Sequence, residues 1–258
     1  MRLGSDPEVF LQNKEGKLIS SIGYINADKW HPMQIPDMPA GFTLQEDNVT
    51  LEYGIPPAAS ADEFVQHIKA VMDKSLEYVP ELSFSKLSCA IFTKDQMEHP
   101  LSRVFGCEPD FDAWDNKVNH PPVPPHPFMR SAGGHIHVET KLNPKIVVKA
   151  MDFLLGVPST LMDKGEDRKK MYGKRGAYRP KPYGVEYRVL SNFWIFDESL
   201  IRWVWDTTEE ALTLAQSVEE SGEDVFASLA DEIKQCINNN DKALASKLVK
   251  QYGLSVCY

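Results

Sequence analysis

Four short stretches of the chain set polar side chains two residues apart with apolar residues between them, and in three of the four both of these are ionisable. They are Asp6-Pro-Glu8-Val-Phe-Leu11, Val49-Thr-Leu-Glu52-Tyr-Gly-Ile55, Gly134-His135-Ile-His137-Val-Glu139 and Gly184-Val-Glu186-Tyr-Arg188-Val-Leu190. A period of two belongs to a β-strand, whose successive side chains point to opposite faces. Each stretch is therefore expected to be a strand with one apolar and one ionisable face. Asp6 and Glu8 oppose Pro7, Val9 and Leu11, and Thr50 and Glu52 oppose Val49, Leu51 and Tyr53. His135 and His137 oppose Ile136 and Val138, and Glu186 and Arg188 oppose Val185, Tyr187 and Val189. A half-solvated antiparallel sheet alternates in the same way, but its wet face is ordinarily Thr, Ser, Lys and Gln. Here it carries carboxylates, paired imidazoles and arginine. Gly133-Gly134 and Gly184 flank these strands, and glycine beside a strand lets backbone or ligand approach closely.

The remaining elements intersperse with these strands. Asn13-Lys-Glu-Gly16 reads as a hairpin turn leading to Lys17-Leu-Ile-Ser20. A helix is expected from Ser60, where Ser60-Ala-Asp-Glu63 forms a capping box, with Phe64, Ile68, Val71, Met72, Leu76 and Val79 at helical spacing. Residues 82–92 have strand character. Residues 93–131 look irregular, and His120–Pro127 holds five prolines in eight positions, read as an ordered loop rather than a linker. A helix follows with Pro144 in its first turn, kinked or ended near Pro158. A loop over 164–183 then precedes the Glu186 strand. From about Asp197 two or three amphipathic helices are expected, the first lined by Ile201, Val204, Leu212, Ala215 and Val218. Trp203 and Trp205 on that helix face both sides and offer an interface, so an oligomer is open. The fold class is α+β, read as one domain over 1–258 with 195–258 as a C-terminal helical part.

Composition closes off several functions. The 258 residues carry 28 Lys and Arg against 37 Asp and Glu, a formal net charge of −9. That balance argues against coating nucleic acid, whose affinity rests on clustered Lys and Arg, and against broad docking on anionic lipid. No apolar run of about 18 residues exists to span a membrane, and the first residues lack a signal peptide's apolar stretch. Cys89, Cys107, Cys236 and Cys257 are widely spaced and form no C-x-x-C pair, so they read as reduced thiols. The expected location is the cytoplasm.

If the four ionisable faces converge, three or four carboxylates share a site with two imidazoles. Carboxylates that repel one another need cations, and an oxygen-rich site suits magnesium or manganese better than zinc. The two histidines of His135-Ile-His137 are separated by about 7 Å along a strand, so one can reach a metal while the other meets a phosphate or substrate carboxylate. The segment 164–188 adds nine Lys or Arg against three acids. Within it Lys174, Arg175, Arg179, Lys181 and Arg188 supply groups that suit phosphate oxygens and carboxylates. Metal-binding carboxylates beside phosphate-binding cations make a phosphoryl-transfer arrangement, in which positioning and charge neutralisation carry the catalysis. No P-loop, dinucleotide-binding or kinase signature is present. A metal-dependent hydrolase would use the same carboxylates and histidines to activate water, leaving Arg179 and Arg188 without a task. A non-catalytic binding protein is the third reading.

The motifs Gly4-Ser-Asp-Pro-Glu8, Asp47-Asn-Val-Thr-Leu-Glu52-Tyr, Gly133-Gly-His-Ile-His137 and Arg179 ahead of Tyr183-Gly-Val-Glu186-Tyr-Arg188, in that order, resemble the carboxylate–amine ligases of the glutamine synthetase and glutamate–cysteine ligase superfamily. Within that superfamily they are most similar to the phage-type COOH–NH2 ligases of type 2, predicted amidoligases encoded largely by bacteriophages. The resemblance implies a curved antiparallel sheet with flanking helices, like the glutamine synthetase catalytic domain. Its concave face would hold ATP and Mg2+ (or Mn2+). ATP would phosphorylate a substrate carboxylate, and an amine would attack the acyl phosphate to give an amide. The resemblance implies Glu8, Glu52 and Glu186 as metal ligands, with Glu52 also counted among the catalytic groups. Asp6 stands where many relatives carry the first glutamate of a Glu-x-Glu pair. His135 or His137 would contact metal or nucleotide phosphate, and Arg179 and Arg188 would stabilise phosphate or acyl phosphate, with Arg175 and Lys174 as weaker nucleotide contacts. The expected partners are small-molecule or peptide acids and amines, in the host cytoplasm if the chain is phage-encoded. An acyl phosphate must be kept from water, and by position the loops 120–127 and 164–183 are candidate lids.

Overall fold

The computed structural model describes residues 1–104, 109–120 and 123–257. Cys107 and the Pro121-Pro122 part of the proline-rich loop lie outside the described residues. In chain order the strands are β1 (Leu3–Ser5), β2 (Glu8–Gln12), β3 (Leu18–Ile19), β4 (Met33–Gln34), β5 (Thr43–Asp47), β6 (Thr50–Gly54), β7 (Ser83–Ser85), β8 (Cys89–Ile91), β9 (Phe111–Asp112), β10 (Lys117–Val118), β11 (Met129–Ser131), β12 (Ile136–Glu139), β13 (Ala177–Lys181) and β14 (Gly184–Tyr187). One sheet runs β1-β12-β14-β13-β9-β10. A second runs β3-β2-β6-β5-β4 with β7 also on β2, and β11 pairs with β8; every described pairing is antiparallel.

The two large sheets meet in the first twelve residues, where the chain breaks only at Asp6-Pro7. β1 pairs with β12, and β2 pairs with β6. The chain through β6 keeps bonding across the break, from Tyr53 N to Pro7 O (3.1 Å), Ile55 N to Ser5 O (3.3 Å) and Ala58 N to Leu3 O (2.7 Å). The result is a strongly curled half-barrel in an α+β fold, as the element order leads one to expect.

The convex face carries the alternating apolar residues, and one continuous apolar cluster runs from Leu3 to Leu254. Helices α1 (Ala61–Ser75), α2 (Pro144–Met151) and α4 (Glu198–Ser221) contribute its outer wall, with Phe64 stacked on Trp194 at 5.9 Å and tilted against Trp205 at 5.7 Å. α1 begins as its capping box requires, with Ser60 Oγ accepting from Glu63 N at 3.2 Å, while the Glu63 carboxylate reaches Ala59 N at 2.6 Å. The C-terminal part holds three helices, α4, α5 (Ala230–Asn239) and α6 (Lys242–Tyr252). They end at Gly222, Asn240 and Gly253, all in the left-handed region that favours such residues.

Several expectations change. Residues 82–92 form two strands on different sheets, because the chain turns at Lys86-Leu87-Ser88. The helix from Pro144 is interrupted before Pro158, not at it: Asp152–Gly156 winds as a π-helix, and Pro158 sits in the first turn of α3 (Val157–Met162), where its missing N–H costs nothing. The loop 164–183 contains β13, hydrogen-bonded on both sides, so its second half is sheet and not a lid. Trp203 and Trp205 are both buried inside the chain, and Trp203 donates to Ser255 O at 3.1 Å, so neither is available as an interface. The described cysteines Cys89, Cys236 and Cys257 are free thiols. No described helix is long and apolar enough to cross a membrane.

Candidate active site

The concave face is where the ionisable side chains converge. Register places Gly4, His137, Glu186 and Arg179 in one row across β1, β12, β14 and β13. On the other sheet Glu8, Glu52 and Gln45 form the corresponding row across β2, β6 and β5. Asp6, in the break between β1 and β2, lies at the junction of the two rows.

Glu186 is fully buried and surrounded by cations. Arg188 donates to its Oε1, Arg179 Nη1 lies 3.3 Å from the same oxygen, and Lys181 Nζ lies 2.8 Å from Oε2. Burial and Asp6 oppose its ionisation, yet Arg188, His135 and Arg179 hold its carboxyl down at about 2. Arg188 is itself buried and also meets Asp110 at 3.3 Å and His135 Nδ1 at 3.2 Å. Asp6 sits 3.3 Å from His135 Nδ1 and 3.1 Å from His137 Nε2. Burial disfavours its charge, but the two histidines keep it well below the usual carboxylate range. The histidines divide. Burial and the Arg188 charge push His135 down to about 4, whereas Asp6 outweighs burial at His137 and raises it. His137 Nδ1 is tied to Tyr183 Oη at 2.6 Å with the rings stacked, which leaves Nε2 facing the carboxylates.

The second row has the opposite electrostatics. Burial, then Asp47, pushes Glu8 up to about 7 although its Oε2 accepts from Gly133 N at 2.7 Å. Burial, then Asp6, Asp47 and Glu8, pushes Glu52 well above the carboxylate range despite a 2.7 Å bond from Gln45. Asp47 is raised as well, first by burial. Burial first, and then mutual repulsion, drive these carboxylates toward neutrality, and Arg188 and Arg168 offset this only in part.

Two features fit a divalent cation here. Asp6, His137 and Glu186 offer ligand atoms that all lie within 4.8 Å of one another. Three buried atoms of that same group make no well-directed hydrogen bond: Asp6 Oδ1 and His137 Nε2 face each other at 3.1 Å, and Glu186 Oε2 meets the Lys181 ammonium at 2.8 Å. Glu8 and Glu52 add oxygen donors beside them, a set suited to a hard ion.

The glycines explain how the strands approach. A Cβ on Gly133 would sit 2.4 Å from His135 Nε2, and one on Gly134 would sit 2.4 Å from Ser191 O and 2.5 Å from Trp194 Nε1. Gly134→Ala should therefore cost about 2–3 kcal/mol by overpacking, read as a lowered melting temperature. An unchanged melt would show that the Ser191 carbonyl gives way.

Not every predicted residue joins the cluster. Arg175 is buried elsewhere: its guanidinium lies over Trp114 at 4.7 Å, donates to Ala230 O at 3.0 Å and pairs with Asp115 at 3.2 Å, fastening the segment before β13 to α5. Lys174 is exposed in the turn before it. Conversely, Tyr183, Gln45 and Asp47 stand in the site although the motifs assign them no role there, and Lys181, expected only as one of the basic groups suited to phosphate, pairs with Glu186. Lys181 can be found from Arg179, two residues earlier on the same strand face.

With this arrangement in view, comparison with known proteins bears on part of the chain. Residues 124–245 match the family described as phage phiEco32-like COOH-NH2 ligase, type 2. This is the family that the motif order resembles. The matched stretch carries β12, β13 and β14 with His135, His137, Arg179, Glu186 and Arg188, so the COOH-NH2 ligase family match covers the cationic row. Asp6, Glu8 and Glu52 precede it and join the site through the sheet. No curated protein matches the chain.

Proposed function

We propose that the protein is an ATP-dependent carboxylate–amine ligase that activates an acid as its acyl phosphate and captures it with an amine. The observation that carries this reading is the juxtaposition of the Asp6–His137–Glu186 group and the Glu8–Glu52 pair with Arg179, Lys181 and Arg188 on one curled face. The matching family's description, COOH-NH2 ligase, supports the same class of reaction. A hydrolase accounts for the carboxylates but gives the excess of positive charge around Glu186 no phosphoryl group to meet.

Asp6, Glu8, Glu52, His137 and Glu186 are the residues that would hold magnesium. When bound, the ion supplies charge neutralisation to a triphosphate. The chain's own residues do the rest. Arg188 and Arg179, held in place by Glu186, present planar donors to phosphoryl oxygens, and Lys181 extends that row. Tyr183 fixes the His137 ring so that Nε2 points at the carboxylates rather than at solvent. His135, kept neutral beside Arg188, adds a donor or acceptor without adding charge. The apolar core fills the rear of the half-barrel behind these residues. The acids and amines proposed are small molecules or peptides.

The test is ADP release by the purified protein with magnesium, ATP and pooled acids and amines. Amine-dependent ADP should form and should fall by at least about a hundredfold in Glu52→Ala, the loss expected when a group acting on developing charge is removed. Metal-dependent product formation without ATP would establish the hydrolase instead.

A further inference from the structure

Arg168 is 2% exposed and lies on a 3-10 turn, Glu166–Lys170. Its Nη1 donates to Val189 O at 3.0 Å, and its Nε has no partner among the described residues. No described carboxylate forms an ion pair with it. A buried guanidinium without a hydrogen-bonded counter-ion is unfavourable; the Glu8 and Asp163 carboxylates act on this one only from beyond ion-pair distance, and the fold nevertheless builds a close cradle for it. Gly173, at φ +68, lies so near that a Cβ there would sit 1.8 Å from Arg168 Nη1.

The side chain lines a cavity of about 50 Å³ bounded also by Thr50, Arg130, His135, Tyr172 and Arg188, with Glu8 and Asp47 in the remaining wall. That volume holds a few water molecules, and so a single oxyanion group rather than a nucleotide. Arg130 is committed to the surrounding backbone, donating to Ser102 O, Pro127 O and Met129 O. Arg188 is held by Glu186 and Asp110. Among the side chains that line this cavity, Arg168 has no described carboxylate within ion-pair distance and keeps an unpartnered Nε.

We infer that this cavity is an oxyanion seat, in which Arg168, beside Arg188, holds a carboxylate or phosphate group. The seat is read from the cavity itself; only its part in turnover, placing the acid or its phosphorylated form against the cluster, rests on the ligase reading. The seat would make Arg168 a residue that selects for the anionic end of the substrate.

The test uses the full chain without ATP or amine, titrated by calorimetry with potassium phosphate and separately with potassium acetate, each with and without magnesium chloride. Saturable binding of either anion, weakened at least about tenfold in Arg168→Met, is the expected result, since a charge-assisted hydrogen bond is lost. Phosphate binding would assign the seat to the phosphoryl group, and acetate binding to the acid. The anion-free R168M protein should melt no lower than wild type, because it loses a buried charge and Val189 O keeps its 2.9 Å bond from Lys169. If R168M does not fold, R168Q takes its place in the same titration. No saturable binding of either anion, or equal binding by wild type and variant, overturns the seat. ADP formation is measured independently, so that result would leave the ligase reading standing.

Discussion

Glu186→Gln should lower the melting temperature by about 10 °C, the equivalent of about 3–5 kcal/mol for a chain of this size. The glutamine keeps the shape and removes only the charge. What it leaves behind decides the magnitude: Arg188, buried and still beside Asp110, and Arg179 and Lys181 brought within a few ångströms of it, with the anion all three shared now removed. A buried charge stripped of its partner costs far more than the pair contributes. The same reasoning applies to Arg188→Ala, which should lose stability together with turnover, since this arginine builds the site as well as facing it. A Glu186→Gln protein that melts within 2–3 °C of wild type would mean that solvent reaches the cation row.

The second large effect is in pH. In metal-free buffer the melting temperature should fall by about 5 °C between pH 5 and pH 8. Glu8, raised to about 7, and Glu52, raised further, are carboxyls whose protonated forms the fold favours. Their contribution is complete below the ordinary glutamate range and is lost as pH rises through the folded-state values. Asp152, buried under Trp114 and Tyr187 and pushed up to about 7, acts in the same direction. His135, lowered to about 4, acts oppositely, but only below its ordinary value. Glu186 and Asp6 are depressed, so their stabilisation is already complete across this window. Magnesium should abolish the part due to Glu8 and Glu52 and leave that of Asp152, flattening the curve without levelling it. Scanning calorimetry at four pH values decides the matter. A melting temperature that holds or rises with pH in the absence of metal would contradict the carboxylate electrostatics.

The alternation of ionisable and apolar residues makes the concave face legible in the amino-acid sequence alone. At Asp6, Glu8, Glu52, His135, His137, Glu186 and Arg188 a period of two leaves little choice of direction once one face is buried. Arg179 is legible as a charge but not as a strand residue, because Pro180 breaks the expected pattern. The fold accommodates the proline where β9 has already ended its pairing at Ala177 and Tyr178, so its missing N–H faces no partner strand. Arg175 and Arg168 exchange roles for a reason that local sequence does not carry. Both sit in one basic run in which nothing local tells them apart, and only long-range packing draws Arg175 onto Trp114 and Arg168 into the cavity. The π-helical turn at Asp152 is hidden similarly, since its cause is a carboxylate that must meet Trp114, Gly176 and Tyr187 at once.

The break at Asp6-Pro7 also has a consequence for biosynthesis. β1 and β2 pair on one side with β6, some forty residues later, and on the other with β12, which the ribosome reaches only after Ser131. The acidic row can therefore assemble while the chain is still growing, whereas the cations that neutralise it arrive with β13 and β14. Until then β1 presents an open edge and Asp6 has no histidine beside it. Nascent chains stalled before residue 135 should accordingly be the forms that bind chaperones and aggregate, because unpaired strand edges remain exposed until their late partners emerge.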